Sequence, residues 1–121
     1  MNGDPFVDVI MPNYNKAEFL EETINSVIAQ EYKNWNVFII DNSSTDDSKK
    51  ILNKFKNVDK NIYLIFLQKN KGVAFSRNLG IRFCKSKYIA FIDSDDYWSS
   101  NKLKDQISFM EKFNYPFTYT D

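Results

Sequence analysis

Four groups of polar side chains follow short apolar segments, and the acidic group offers the clearest chemistry. Asp93 and Asp95 flank Ser94 directly after the apolar segment Tyr88–Ile92. Carboxylates in this arrangement supply the hard oxygen ligands that Mg²⁺ and Mn²⁺ prefer, while phosphate oxygens and water complete the shell. The alternative interpretation is a solvated acidic turn that caps the next helix. Spacing and placement alone leave both interpretations open, because a D-x-D pattern without context is weak.

The other three groups suggest contacts to a nucleotide, and each also has a structural interpretation. Asp41 ends an apolar segment, where its carboxylate can accept hydrogen bonds from a base or ribose, or can cap the Ser44–Thr45 turn. Tyr14 offers a flat face for stacking a base, although a place in the core explains it too. Lys71 and Arg77 are candidate phosphate contacts, with an exposed surface charge as the plainer interpretation of Lys71.

Apolar segments alternate with amphipathic helical patterns along the whole chain. This βαβαβαβαβ order, with strands that are apolar throughout, predicts an α/β three-layer sandwich with a mainly parallel sheet and helices on both faces. Because ligands bind beyond the carboxyl ends of such strands, we expect the four polar groups to meet at one edge of the sheet. The predicted strands are Phe6–Met11, Val37–Ile40, Ile62–Leu67, Tyr88–Ile92 and Pro116–Thr120.

Local signals predict where some of these elements begin and end. Pro12 is expected to stop the first strand, since proline cannot donate to a ladder. Asn15 lies three residues before Glu18, which is the spacing of a capping box, so Asn15 is expected to cap the first helix. Ser99 or Ser100 is expected to cap the fourth helix in the same way.

Composition narrows the class of protein. The 121 residues suit one domain, and 16 basic and 16 acidic side chains give no net charge that would attract nucleic acid. The single cysteine, Cys84, excludes an internal disulfide, and without any histidine to activate it a buried structural role is favoured over a nucleophile. No signal peptide or transmembrane segment is predicted, so we expect a cytoplasmic protein or one peripheral to the inner face of a membrane.

Four sequence blocks follow one another in order: P-x-Y-N at Pro12–Asn15, D-x-x-S-T-D from Asp41, NKGVAFSRNLGI from Asn70 and IAFIDSDDYW from Ile89. With these blocks the chain, from about Val7 to Asp121, resembles the inverting GT-A glycosyltransferases of family 2. One departure is that the second turn reads Asp41-Asn42-Ser43 where D-D-G is usual, which leaves the base selectivity open.

The resemblance implies roles for the matching residues. Asp95, together with Asp93, would ligate a divalent ion, Mn²⁺ or Mg²⁺, that bridges the diphosphate. Asp41 would hydrogen-bond the base, and Arg77 would brace the phosphates or the acidic cluster. The residues implied in nucleotide-sugar binding are Pro12, Asn13, Tyr14, Asn15, Asp41, Asn42, Lys71, Gly72, Arg77, Asp93 and Ser94.

The implied function is a glycosyltransferase of polysaccharide biosynthesis. It would take a nucleoside diphosphate sugar, with a UDP-sugar favoured, and transfer the sugar with inversion to a glycan or lipid-linked acceptor. The family's catalytic base lies in the acceptor half, which would follow Asp121. Residues 1–121 are therefore expected to be a single nucleotide-sugar-binding domain truncated before that half, and no residue is assigned as the base. The alternative is a nucleotide-binding module without catalysis.

Overall fold

The computed structural model describes residues 4–113, which form four strands and four helices in strict alternation. The predicted α/β order is confirmed, while the predicted strand Pro116–Thr120 lies outside the described residues. Within residues 4–113, no helix has the length and apolar character needed to cross a membrane. The elements are β1 (Val7–Asn13), α1 (Ala17–Ile28), β2 (Trp35–Asp41), α2 (Ser48–Lys54), β3 (Ile62–Phe66), α3 (Val73–Phe83), β4 (Tyr88–Phe91) and α4 (Lys102–Phe113).

The four strands form one parallel sheet in the order β3-β2-β1-β4. The chain first moves outward from β1 to β2 and β3, and then returns to place β4 on the other side of β1. The helices that follow β1 and β4 therefore leave the sheet in a region where the strand order reverses. A crevice opens beyond the carboxyl ends of the strands at such a reversal, which is where open α/β sheets bind ligands.

Alternating side chains of the strands build two hydrophobic layers. Val9 and Met11 of β1 point to the face that α1, α2 and α4 cover, whereas Ile10 points to the face that α3 covers. Helix α3 lies very close to β1, since a Cβ added at Gly80 would come within 2.6 Å of Cγ2 of Ile10. The result is the predicted three-layer arrangement, with three helices on one face and one on the other.

Strand β1 does not end at Pro12 as predicted. In a parallel sheet, successive residues direct their backbone groups to opposite neighbours. Ile10 accepts a hydrogen bond from the backbone N–H of Ile92 on the β4 side, at 3.0 Å, and Asn13 accepts one from Asn42 on the β2 side, at 2.9 Å. Pro12 thus faces the β4 side, where the ladder has already ended, so its missing N–H costs no hydrogen bond.

The predicted capping box of the first helix is also absent. Helix α1 begins at Ala17, whose backbone N–H donates to Oδ2 of Asp46 at 3.0 Å, and no local side chain caps it. Asn15 instead reaches across to the loop after β2, where its Oδ1 accepts from the N–H groups of Thr45, at 2.7 Å, and Asp46, at 3.2 Å. Two loops that are distant in sequence therefore hold each other.

Helix α4 is capped from a distance as well. Near its start the backbone N–H of Leu103 donates to Oε1 of Gln30, at 2.9 Å, and Gln30 lies just after the end of α1. The serine hydroxyls predicted to cap this helix bond elsewhere, Ser99 to Asn101 and Ser100 to a glutamate. The start of each of these two helices is thus fixed by tertiary contacts.

Candidate functional site

A cavity of about 330 Å³ lies where the chain leaves β1, β2 and β4, against the first turns of α3. It brings together side chains from three of the four polar groups predicted from the sequence, as expected for the carboxyl edge of a parallel sheet. It also includes a lysine, a valine and a serine that were not predicted. The lining residues are Pro12, Asn13, Tyr14, Lys16, Asn42, Val73, Ser76, Asp93, Ser94 and Asp95.

The two aspartates at this cavity are half-exposed, and each is paired with one basic side chain. Oδ2 of Asp95 lies 3.5 Å from Nζ of Lys16, and Oδ1 of Asp93 lies 3.1 Å from Nη2 of Arg77. Exposed pairs of this kind contribute little to stability, because water and salt screen them. They can therefore open at small cost, which leaves Asp93, Asp95 and Lys16 at the cavity wall, with Arg77 outside the lining but within reach of Asp93.

The donor set fits a hard divalent cation that shares its coordination shell with a ligand. Mg²⁺ in phosphate-binding sites commonly uses one or two carboxylates, with phosphate oxygens and water as the remaining ligands. Asp93 and Asp95 offer two half-exposed carboxylates at the cavity wall. Across residues 4–113, no group of three or more acidic, histidine or cysteine side chains is placed to hold a metal ion. A ligand would therefore have to complete the shell.

Asp41 and Asn42 are neighbours in sequence but differ in their surroundings. Asp41 is fully buried and does not line the cavity. Its carboxylate accepts from the hydroxyl of Ser44, at 2.7 Å, from the backbone N–H of Ser44, at 3.1 Å, and from Nδ2 of Asn13, at 2.9 Å. These are the contacts of the turn-capping interpretation. Asn42, by contrast, lines the cavity.

The loop that precedes α3 is tied to Asn42. Oδ1 of Asn42 accepts from the backbone N–H of Lys71, at 2.7 Å, and its Nδ2 donates to Oδ1 of Asn70, at 2.9 Å. Gly72 ends the loop with a φ of +88°, in the left-handed region that suits glycine, and α3 starts at the next residue. Neither Lys71 nor Gly72 lines the cavity, and the Lys71 ammonium lies 5.5 Å from the ring centroid of Phe75.

The unpredicted lining residues are close to predicted ones in the sequence. Lys16 follows the P-x-Y-N block directly, but nothing in the sequence indicates that it faces the acidic group. Ser76 precedes Arg77 and lies three residues after Val73, so the helical period places both on the cavity side of α3. That period was the signal available in the sequence.

Cys84 has the surroundings of a structural residue. Its thiol is half-buried near the end of α3 and donates to the carbonyl of Gly80, at 3.3 Å. Burial, with a smaller contribution from the negative charge of Asp8, raises the pKa of this thiol to about 12. A thiol that stays protonated at neutral pH is a poor nucleophile.

Comparisons with known proteins agree with this architecture. The crystal structure of S. aureus TarS 1–349 in complex with UDP-GlcNAc superposes with a TM-score of 0.82 at 29% identity, covering 90% of this chain and 32% of that one. A Pyrobaculum calidifontis mannosyltransferase, solved with GDP-Man and Mn²⁺, shares the fold, with a TM-score of 0.81 at 23% identity, covering 88% of this chain and 32% of that one. These are GT-A transferase structures, so the predicted fold class is confirmed.

Sequence comparison leads to the same group of proteins. WfaP of Escherichia coli, a UDP-Glc:alpha-D-GlcNAc-diphosphoundecaprenol beta-1,3-glucosyltransferase, is 42% identical over 115 residues, which are 95% of this chain and 45% of WfaP. The chain spans about half the length, or less, of the curated relatives it matches. Residues 8–119 match the profile of glycosyl transferase family 2, and the chain belongs to that family.

Proposed function

We propose that this chain binds the sugar donor of a glycosyltransferase, a nucleoside diphosphate sugar, in the cavity at the carboxyl edge of the sheet. The observation that carries the proposal is the pairing of Asp93 with Arg77 and of Asp95 with Lys16 at this cavity. A metal–diphosphate complex needs carboxylates for the cation and basic groups for the phosphates, and both kinds lie within a few ångströms of each other. The names of two relatives, which mention UDP-Glc and UDP-GlcNAc, favour a UDP-sugar.

The lining residues suggest how the donor lies. The exposed ring of Tyr14 can stack on the base, with Pro12 and Asn42 beside it. Because Asp41 is buried and committed to Ser44, we propose that it shapes the base site and that Asn42 makes the direct contact. We place the ribose near Asp93, as the family resemblance implies, together with Ser94.

The diphosphate would lie between the two ion pairs. A bound Mn²⁺ or Mg²⁺ would supply Lewis-acid stabilisation of the charge that develops on the leaving nucleoside diphosphate. Asp95, with Asp93, would hold the cation. Lys16 and Arg77, released from these carboxylates, would neutralise the phosphate oxygens and orient the sugar for attack. Lys71 and Gly72 would define the loop that borders the nucleotide.

The acceptor side of the reaction rests on the relatives. WfaP is named for a diphosphoundecaprenol-linked substrate, which supports a glycan or lipid-linked acceptor for this chain. We propose that the chain meets this acceptor at the cytoplasmic face of a membrane. Transfer with inversion requires one base that takes the proton of the attacking hydroxyl. As the family resemblance implies, we propose that this base belongs to the acceptor-binding half of such enzymes and is neither Asp93 nor Asp95.

Calorimetric titration of UDP and GDP, with and without Mn²⁺, tests the donor proposal. We expect UDP to bind at least about 10-fold more tightly with Mn²⁺, a gain of about 1.4 kcal/mol. Absence of metal-dependent binding for every nucleoside diphosphate contradicts the proposed site. Incubation with UDP-sugars then separates an enzyme from a binding module, since only an enzyme releases UDP by transfer or hydrolysis.

A further inference from the structure

We propose that the surface formed by β3 and the outer side of α3 docks onto an anionic lipid bilayer. This surface runs along α3, from Val73 beside the donor cavity to Lys85, which contacts Asp8 at the amino edge of the sheet. Most of it lies outside the cavity, so its role goes beyond donor binding and does not depend on it. It gives the membrane association proposed above a definite face of the molecule.

The basic side chains of the protein are concentrated in this part of the chain. Residues 56–85, which include β3 and α3, contain seven basic side chains and one acidic one, whereas the whole chain contains 16 of each. Six of the seven are exposed, and none of the six is in a salt bridge within residues 4–113. These six are Lys56, Lys60, Lys69, Lys71, Arg82 and Lys85. The surface is therefore strongly positive in a chain without net charge, which complements a negatively charged membrane.

Large apolar side chains are exposed among these charges. Phe75 and Arg82 lie seven residues apart, so the helical period places both on the side of α3 that faces away from Gly80 and the sheet. Aromatic rings next to cations are typical of protein surfaces that enter the headgroup region of a membrane. The apolar side chains, each with between 41% and 45% of its surface accessible, are Tyr63, Phe66, Phe75, Ile81 and Phe83.

The sheet is incompletely covered on this face. Among the described helices only α3 packs here, and a helix is about 10 Å wide whereas four strands span about 15 Å or more. A groove of about 480 Å³ remains beside α3, and because its wall includes residues from both faces of β3, it wraps the edge of that strand. Lys56, Tyr63 and Phe83 line it. An apolar groove at a strand edge is a surface that a partner can cover.

The chemistry of this surface favours lipid over protein as the partner. Lysine is depleted at the centres of protein–protein interfaces, because burial of an unpaired charge is costly. At an anionic bilayer, by contrast, lysine and arginine stay among the hydrated headgroup phosphates while the aromatic rings enter the headgroup layer. Val73, which is 51% exposed, lies on this surface and also lines the donor cavity. Docking would therefore hold the cavity beside the membrane that carries a lipid-linked acceptor.

Co-sedimentation of the 121-residue chain with vesicles tests the charges. The chain should bind vesicles of equal parts phosphatidylcholine and phosphatidylglycerol, and should bind much less to phosphatidylcholine alone. Lys60→Glu combined with Arg82→Glu should lower the partition coefficient at least about 10-fold, since each basic side chain at an anionic surface contributes a factor of about five. The matched control, Lys49→Glu combined with Lys50→Glu, makes the same change in exposed charge on α2, across the sheet, and should keep most of the binding.

Phe75→Ser tests the apolar contribution at constant charge. Loss of this exposed ring should weaken binding to the anionic vesicles about 3-fold or more, because less apolar surface enters the membrane. Phe19→Ser, which removes an equally exposed ring from α1, should leave the binding unchanged. Equal binding of these two variants would contradict the proposed surface.

Three other results overturn the inference. They are an absence of binding to anionic vesicles, an equal loss of binding in the two charge variants, and binding to poly(U) RNA without binding to vesicles, which would identify a nucleic-acid surface. Neither Lys60 nor Arg82 lines the donor cavity, so their variant should bind UDP and Mn²⁺ as the wild type does. Failure of the membrane proposal and failure of the donor proposal are thereby measured separately.

Discussion

The two edges of the sheet hold acidic side chains in opposite ways. At the amino edge, Asp8 of β1 is 2% exposed. Its carboxylate accepts from the backbone N–H groups of Lys85, at 2.8 Å, and Ser86, at 2.9 Å, from the Ser86 hydroxyl at 2.8 Å, and from Nδ2 of Asn36 at 3.0 Å. Every partner is neutral and fixed, so Asp8 fastens the loop before β4 to the sheet.

At the carboxyl edge, Asp93 and Asp95 are half-exposed, and each ion pair joins its carboxylate to the end of a long flexible side chain. The number and rigidity of the partners, more than the residue type, therefore separate a structural carboxylate from one that can exchange partners. Asp41 shows this most clearly. It lies at the carboxyl edge, yet its side chain is buried and its carboxylate accepts three hydrogen bonds from fixed neutral partners, as the carboxylate of Asp8 accepts its own.

Removal of Asp8 should give the largest effect on stability. Asp8→Ala leaves two part-buried backbone N–H groups, a serine hydroxyl and a side-chain amide without their shared acceptor, so the free energy of unfolding should fall by about 3 kcal/mol or more. Urea denaturation followed by circular dichroism measures this loss. The folded fraction should bind UDP and Mn²⁺ with unchanged affinity. If Asp8→Ala instead lost its affinity for UDP and Mn²⁺ while its free energy of unfolding was unchanged, the distinction between the two edges would be wrong.

Asp41 is the critical case for this comparison. Its position at the carboxyl edge suggests a role in ligand binding, whereas its buried contacts suggest a structural role. Asp41→Ala should lower the free energy of unfolding by about 2 kcal/mol, since Ser44 and Asn13 lose a buried acceptor. The weakening of UDP binding should be secondary and accompanied by this destabilisation. If the free energy of unfolding measured in urea is unchanged while the affinity for UDP falls strongly, Asp41 contacts the base directly, as the family resemblance implies.

In contrast to Asp41, Asp95 should affect ligand binding and leave the stability of the fold nearly unchanged. In Asp95→Ala, the affinity for UDP in the presence of Mn²⁺ should fall about 10-fold, about 1.4 kcal/mol, to the level found without metal. Its free energy of unfolding should stay within about 0.5 kcal/mol of wild type, because the ion pair is exposed. Glu22→Ala, which removes an exposed acid on α1, is the matched control and should change neither quantity. Retained metal dependence in Asp95→Ala would exclude it as a ligand.

Lys16 should give the smallest change. Lys16→Met removes the partner of Asp95 but keeps the apolar stem, so stability should again stay within about 0.5 kcal/mol. Because the carboxylate no longer has a competing cation, Mn²⁺ alone should bind a few-fold more tightly, as measured by calorimetry without nucleotide. Weaker binding of Mn²⁺ would show that Lys16 helps to orient Asp95 and does not compete for it.

The fold was largely predictable because its signals are local and apolar. Most residues of the central strand β1 and of its neighbours β2 and β4 are apolar, and Gly72 directly precedes the start of α3. The acidic group after β4 was predictable as a cavity element for the same reason, since strand ends converge. The predictions that were wrong concern the end of β1 and the helix caps, because these depend on residues that are distant in sequence. Pro12 is tolerated because β4 ends early, and Asn15 serves the loop after β2.

The cavity lies where the sequence predicts that the polar groups converge, but the contacts of single residues at this candidate site were less predictable. Strand alternation could have separated Asp41 from Asn42, because neighbouring side chains on a strand point to opposite faces. The hydrogen bond between the side chains of Asn42 and Asn70 could not have been derived from the sequence, since it depends on how closely the loops after β2 and β3 approach. Lys16 was missed because a lysine at the start of a helix has no distinctive pattern.

The hydrogen bonds that cap α1 and α4 come from residues distant in sequence, and this affects the order in which parts of the molecule fold. The bonds from Ala17 to Asp46 and from Leu103 to Gln30 join residues 29 and 73 positions apart, so the first turns of α1 and α4 are complete only after the sheet has assembled. Contacts of long sequence separation form slowly, because the loop between them must close first. The segment with Tyr14 and Lys16 should consequently be the last to order during refolding and the first to exchange its amide hydrogens in the native state. We therefore expect order to be lost most readily at the carboxyl edge of the sheet, and we expect a bound nucleotide to slow the exchange of amide hydrogens there.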